Sequence, residues 1–489
     1  MPSCDIVIIG AGVNGLACAV RLAQAGRQVT VVEAAAEPGG MLALAHLTQG
    51  IDPRVMAGMG LARHGLRLRG LATTVLDAGG AHLTVRGSVA SGPLATDQSV
   101  GWAELQARLG RFAAALAPFR GIAPPRLALG AGNEWWRLAR LAFGVRALGR
   151  AEMRELLRLI LINVADVASD ELADDRLRGL LAFDATLGAW LGPRSPNSLI
   201  LYLNRLAMGD GPFWPEGGMG SVTAAMVASA RAAGVTIICN ARVAQVMVAH
   251  DRAIGVTLAD GQVIGGDVVS AISPVVTLRD LVGARQLDAG LYRRATQIRA
   301  RGAVAHLTLQ LSAAPDFRGA DPATRLVIAP DVASVEHAWN PVKYGQVPDR
   351  PVMEITLPAA LQGSGAPVLT ALVQCAPHDV PDMDAARSAM LRATMTVLED
   401  HAPGIGAVVT GAQMLLPQDI AARHGSGCWH HAELSVEQML FLRPLPELAQ
   451  YATPLPGLWL AGSGSHPGGG VNGAAGWNAA ERIIARVPG

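Results

Sequence analysis

The sequence predicts an α/β protein: a parallel, doubly wound sheet assembled from separated stretches of chain, with an α+β domain inserted between them. Three observations predict it. An apolar run at Asp5–Ile9 leads straight into a glycine-rich turn and a helical stretch. A second apolar run returns at Val268–Ile272. A third, Leu458–Ala461, precedes another glycine-rich turn and a closing helix. Apolar runs of this length bounded by turns read as strands buried on both faces.

The first unit is β-α-β. The strand DIVII (Asp5–Ile9) runs into Gly10-Ala11-Gly12-Val13-Asn14-Gly15, and Leu16–Ala25 has helical composition with Gly26 as its stop. Gln28–Val32 is the next strand and ends at Glu33. Residues 102–119 and 135–191 have helical spacing, whereas Pro193, Pro196, Pro212 and Pro215 punctuate 192–218. A helix then precedes a strand at Val235–Cys239, followed by short strands at Val243–Val248 and Ile254–Leu258. Asp260-Gly261 marks a hairpin turn. Further strands are expected at 303–311 and 368–375, with helices at 383–400 and 472–486. This order predicts a discontinuous nucleotide-binding domain from 1–75, 215–285 and 445–489. The substrate domain is expected from 76–214 and 286–444.

Composition narrows the function. The 489 residues include 40 basic and 39 acidic ones, a net charge of +1, which argues against nucleic acid as a partner because phosphate binding needs clustered positive charge. The chain is 51 % hydrophobic but only 4 % aromatic, with a mean hydropathy of +0.31. The single lysine, Lys343, reflects a GC-rich coding style and points to a bacterial source. Cys4, Cys18, Cys239, Cys375 and Cys428 form no C-x-x-C. A disulfide framework, a redox-active pair and a zinc site are therefore not expected, and a reducing compartment fits. The start of the chain lacks a signal-peptide pattern, and no uncharged apolar run reaches spanning length. A cytoplasmic protein is expected, with peripheral membrane contact open.

The chemistry starts at Gly10-x-Gly12-x-x-Gly15. Gly10 permits the tight turn out of the strand, Gly12 lets backbone approach a pyrophosphate, and Gly15 lets helix and strand pack closely. The helix N-terminus faces the phosphates with its positive end. Glu33, 18 residues beyond Gly15, stands where a carboxylate accepts from ribose hydroxyls. The run EAAAEPGGM (Glu33–Met41) then adds the pair Gly39-Gly40 just after the acid. Near the end, the strand leads into Gly462-Ser463-Gly464-Ser465-His466-Pro467-Gly468-Gly469-Gly470 and a helix. So many glycines expose backbone N–H groups at a helix N-terminus, a second anion site.

These segments resemble the phytoene-desaturase-like flavoproteins, and match best the branch called pyridine nucleotide-disulfide oxidoreductase domain-containing protein 2. The resemblance is carried by Gly10 to Gly40, FWPEGGMGSVTAAM from Phe213, GVTLADG and DVVSAISP up to Pro274, HAELSVEQMLFLRPLP from His431 and SHPGGGVNGA from Ser465. It implies a Rossmann-like FAD-binding domain, with Gly10, Gly12, Asn14, Gly15, Glu33, Gly39, Gly40 and Met41 around the cofactor. It implies Val243 on the adenine side, and Gly462, Ser463, Gly470, Val471 and Asn472 near the flavin. Trp429-His430 departs from the apolar or aromatic residues expected there. Gly217–Gly220 does not follow a strand as a second dinucleotide fingerprint would, so no NADPH domain is expected. Oxygen, a quinone or another carrier is left to reoxidise the flavin.

Two histidines are candidates for moving a proton while the flavin takes a hydride, His466 and His431, because imidazole titrates near neutrality. No metal site is expected: adjacent His430 and His431 rarely ligate one ion together. Arg146, Arg150, Arg154 and Arg158 recur every four residues after Trp135, Trp136, Arg137 and Arg140. Such a basic amphipathic face suits a membrane surface. The expected activity is an FAD-dependent desaturase or dehydrogenase taking a hydride from a small apolar substrate. The alternatives are a flavin-dependent polyene isomerase without net redox and a non-catalytic FAD-containing interaction protein.

Overall fold

The computed structural model describes residues 3–125, 135–209 and 211–486. Ser3–Ile9, the helix Val13–Gln24 and Val29–Val32 form the expected β-α-β unit. The two strands pair in parallel, Ile8 opposite Val31, and Val7, Ile8 and Val31 are wholly buried. Thr236–Ile238 extends this sheet beyond Val29–Val32, and Val263–Ser270 lies on the other side of Ser3–Ile9. Val263–Ser270 has two partners along its length. Gly265 pairs antiparallel with Gly255 of Arg252–Leu258, while Val268 pairs in parallel with Leu458 of Leu458–Leu460. Val243–Ala249 closes the edge, giving seven strands. Mixed α/β architecture and a Rossmann-like unit are thus present.

The first and last helices meet almost backbone to backbone. A Cβ on Gly15 would stand 2.0 Å from the carbonyl oxygen of Gly10, and one on Gly476 would stand 1.9 Å from that of Asn14. Only glycine fits either position: Gly15 lets helix Val13–Gln24 start close against the turn out of its strand, and Gly476 lets helix Ala474–Arg486 settle against helix Val13–Gln24.

A second, eight-stranded sheet runs in the order Val409–Leu415, Val304–Leu311, Val368–Gln374, Met353–Thr356, Arg325–Ile328, Thr73–Val75, Leu83–Arg86, Val89–Ser91. Thr73–Val75 pairs in parallel with Arg325–Ile328 here, although it falls within the stretch grouped with the nucleotide fold above. Six of these strands escaped the sequence reading. Most are three or four residues long, too short for a period to register. Helix Ser198–Leu206 also lies inside the proline-punctuated stretch. A short strand, Phe213–Pro215, precedes Gly217–Gly220, but not in the manner of a second dinucleotide fingerprint. That strand pairs antiparallel with Leu68–Gly70 in a separate two-stranded ribbon, outside the parallel sheet.

Helices Thr96–Arg120, Gly149–Leu161, Val164–Glu171, Asp175–Thr186 and Ser198–Leu206 pack together beside this sheet, burying Leu109, Phe112, Leu177, Leu181 and Phe183. Where helices meet sheet, Arg325 is 1 % exposed. Its Nε donates to Glu354 at 2.5 Å and its Nη2 to Asp184 at 2.6 Å. Arg205 reaches the same Asp184 at 3.2 Å. Two carboxylates facing two guanidiniums satisfy the cluster, which would otherwise be costly to bury. On the outside, Arg146, Arg150 and Arg154 are exposed together with Phe143, Leu157 and Leu161, while Arg158 pairs with Glu155 at 2.7 Å. The side chains of Trp135, Trp136, Arg137 and Arg140 lie outside the described residues. Among the described residues no helix is long and apolar enough to cross a membrane.

Two glycines give a direct test of this packing. Gly476→Ala must push the terminal helices apart and is expected to lower stability by ~1–3 kcal/mol. Gly110, in the middle of Thr96–Arg120, has nothing within 4 Å of an added Cβ, so Gly110→Ala is expected to add ~0.5–1 kcal/mol. Urea unfolding of both variants checks the pair; equal effects would contradict the packing.

Candidate functional site

Gly10 leaves its strand at φ +96°, and a Cβ there would crowd Ile272 at 3.0 Å. Gly12 caps the first helix with no side-chain hydrogen bond and no acidic residue in the first turn. The N–H groups of that turn therefore have no partner within the helix, and an added Cβ on Gly12 would meet nothing within 4 Å. Free amides, a helix dipole and open space at one point make an anion cradle. Glu33 is anchored beside it: Oε2 accepts from the N–H of Ala11 at 2.7 Å and Oε1 from that of Ala35 at 3.0 Å. Each carboxylate oxygen has two lone pairs, so both keep one for a ribose hydroxyl. Gly39 donates its N–H to the carbonyl of Ala11 at 3.0 Å. This brings Gly40 across the helix start, where a Cβ would lie 3.5 Å from Gly12 Cα.

These residues border a cavity of about 790 Å³. Gly10, Gly12, Asn14 and Glu33 line it with Gly39, Gly40 and Met41, and Val243 and Arg242 line it from the opposite strand edge. Ser463, Gly470 and Val471 bring in the C-terminal loop, and His431 the segment before it. Asn14 ties the chain's two ends together: Nδ2 donates to Ser463 Oγ at 3.1 Å, and Oδ1 accepts from the N–H of Gly476 at 3.3 Å. The far part of the cavity reaches the second sheet and the helices, where Val304, Leu372, Leu187 and Leu201 alternate with Asp184, Arg205, Glu354 and His306. That part is therefore not uniformly apolar.

Four of the residues singled out from the sequence do not border this cavity. Gly15 serves helix packing. Gly462 allows strand contact, because a Cβ there would lie 2.7 Å from the carbonyls of Ala271 and Ile272. Asn472 accepts from the N–H of Ala474 at 2.8 Å, capping its own helix. His466 is the fourth: its Nε2 lies 2.7 Å from the carbonyl of Phe119, so that nitrogen carries the proton and donates. Burial, against that hydrogen bond, pushes its pKa down to about 3. It is a neutral ring fastening a loop, off the cavity, and its place as a proton carrier is not supported by this position.

His431 does border the cavity, with φ +56° and, among the described residues, no partner for Nδ1. Burial first, then the nearby charge of Arg443, lowers its pKa to about 4. Trp429 and His430 also line it, with Trp429 Nε1 2.9 Å from His430 Nε2. The indole fills the space left by Gly188, where a Cβ would come within 1.9 Å of the ring. The sequence reading missed one pair entirely. His46 and His306 meet Nε2 to Nε2 at 2.8 Å inside the cavity wall. Burial lowers both pKa values, that of His306 to about 4; for His46 the neighbouring His306 adds to the burial and holds it well below the ordinary imidazole value. Separated by 260 positions, they left no local signal.

His46, His306, His430, His431 and His466 are thus held neutral in the folded chain, with pKa values below the unfolded value near 6.5. The unfolded chain then binds more protons below pH 6.5, so the stability is present above that pH and is lost as pH falls toward 4. Each such ring costs ~1.4 kcal/mol per pH unit in that window. With five such rings, urea unfolding at constant flavin content is expected to show a loss of up to ~10 kcal/mol between pH 7 and 5. A midpoint that does not move would contradict the buried neutral rings.

Comparison with known proteins agrees with this architecture. The sequence profile of the flavin containing amine oxidoreductases matches residues 14–484. The chain is 27 % identical to pyridine nucleotide-disulfide oxidoreductase domain-containing protein 2 of Rattus norvegicus, covering 99 % of this chain and 94 % of that protein. It is 28 % identical to hydroxyneurosporene desaturase of Cereibacter sphaeroides, covering 98 % and 97 %. Among solved structures, a putrescine oxidase triple variant superposes with a TM-score of 0.62 at 16 % identity, over 99 % of both chains. An oxidoreductase from Methanosarcina mazei superposes with a TM-score of 0.59 at 15 % identity, over 99 % of this chain and 100 % of that one. With the profile spanning nearly the whole chain, this protein belongs to the flavin containing amine oxidoreductase family and is an oxidoreductase of amine oxidase/desaturase type.

Proposed function

We propose that the chain is an FAD-dependent desaturase or dehydrogenase that removes hydride from a C–C or C–N bond of a mainly apolar substrate. One observation carries the reading: a single cavity joins the phosphate cradle and Glu33 to the polar and apolar wall around His306. The cradle fits FAD. The helix amides at Gly12 would hold the diphosphate, Glu33 the ribose and Val243 the adenine side, with Gly470 and Val471 beside the flavin. FAD supplies the two-electron acceptor when bound.

The chain's own part is orientation and proton transfer. Loss of hydride leaves a substrate cation whose neighbouring C–H, or N–H, is strongly acidic. A weak base is then enough, and the neutral His46–His306 pair is one, lining the cavity with His46 Nδ1 unpartnered among the described residues. FAD held at the Gly12 cradle and Glu33 would supply the acceptor for the hydride's two electrons and one proton, with oxygen or a quinone as the final acceptor, and the imidazole of the His46–His306 pair would take the second proton.

Anaerobic mixing of the flavin-loaded protein with aliphatic amines and with polyenes tests this. The account expects bleaching of the oxidised-flavin absorbance and a product lighter by two hydrogens. His306→Gln is expected to slow the bleaching by at least about 10²-fold while leaving flavin bound. Turnover with unchanged product mass would favour isomerisation, and no bleaching by any compound would favour a non-catalytic role.

A further inference from the structure

A second cavity, of about 1230 Å³, adjoins the first; Gln49, Asp184, Arg205 and Met208 border both. Much of its wall is apolar and comes from helix Thr96–Arg120, including Trp102, Ala113, Ala114 and Phe119, with Leu180 opposite. Four arginines face it, and three are neutralised. Arg54 pairs with Asp52 at 2.8 Å, Arg205 with Asp184 at 3.2 Å, and Arg325 with Asp184 at 2.6 Å. Arg120 is the fourth. It is 9 % exposed, and among the described residues no carboxylate lies within ion-pair distance of it. Its Nη1 donates to the neutral amide oxygen of Asn204, which itself lines the first cavity.

A guanidinium offers five N–H donors in a planar fork. Asp52 attracts Arg120 from further off but is already held by Arg54; a buried guanidinium with no ion-pair partner of its own is unfavourable, and a bidentate carboxylate is the partner that relieves this best. The surrounding wall selects an apolar remainder. We propose that this second cavity is a binding site for an amphipathic monoanion, a chain-lipid carboxylate whose head pairs with Arg120 and whose chain lies along the wall of Thr96–Arg120. The site needs neither flavin nor turnover, so its failure and that of the redox reading are distinguishable.

Calorimetric titration of the full-length protein with decanoate and with decan-1-ol tests it. Decanoate is expected to bind one site at least tenfold more tightly than the alcohol. Arg120→Gln is expected to weaken decanoate tenfold or more and leave the alcohol unchanged. Gly110 also borders this cavity, and a Cβ there meets open space, so Gly110→Phe is expected to abolish binding of both. No decanoate binding to the unmodified protein, equal affinity for acid and alcohol, or undiminished binding to Gly110→Phe would overturn the proposal. Should Arg120→Gln fail to fold by circular dichroism, the acid-to-alcohol ratio and Gly110→Phe still decide it.

Discussion

The contact between Asn14 and Gly476 holds the candidate site together. There the backbone of the last helix lies against the backbone of the first, with no side chain between them. Asn14 uses both ends of its amide, one on Gly476 and one on Ser463. The glycine-rich turn at the start of the chain and the one near its end are thereby fixed to each other across more than 440 residues. Without that close approach the amide cradle at Gly12 and the loop at Gly470–Val471 would not border one cavity.

A second constraint works from inside. Arg443 is wholly buried and donates to the carbonyls of His430, Ala432, Glu433, Gln438, Ser463 and Ser465, at 2.8 to 3.3 Å. It takes carbonyl dipoles in place of a carboxylate. Burial lowers its pKa to about 10, so it stays charged at neutral pH. One side chain thus ties the segment carrying His431 to the loop carrying Ser463. Its charge also reaches the cavity, where it adds to the burial that keeps His430 and His431 neutral.

What was legible in the sequence was local. The turn at Gly10 and the close packing at Gly15 follow from the sequence because each is set by one turn and the elements on either side of it. Glu33 follows from the length of one helix and one strand. What was not legible depends on distant partners. His46 and His306 acquire meaning only when strand Val304–Leu311 comes beside the 40–48 segment. His466 looks the same in sequence whether its ring faces a cavity or the carbonyl of Phe119. Arg443 binds carbonyls, which every residue has, so no partner type marks it. The Arg325–Asp184–Glu354 cluster joins a helix and two strands that share no sequence pattern.

The central claim is that the Gly12 cradle, Glu33 and the C-terminal glycine loop together hold FAD. The most direct measurement is the visible spectrum of the purified protein, followed by chromatographic identification of the flavin released on denaturation, for the unmodified chain and for Glu33→Ala. The account predicts oxidised-flavin absorbance, near-stoichiometric FAD, and a loss of most of that FAD in Glu33→Ala. A colourless protein that takes up no added FAD, or one that retains FMN instead, would contradict it.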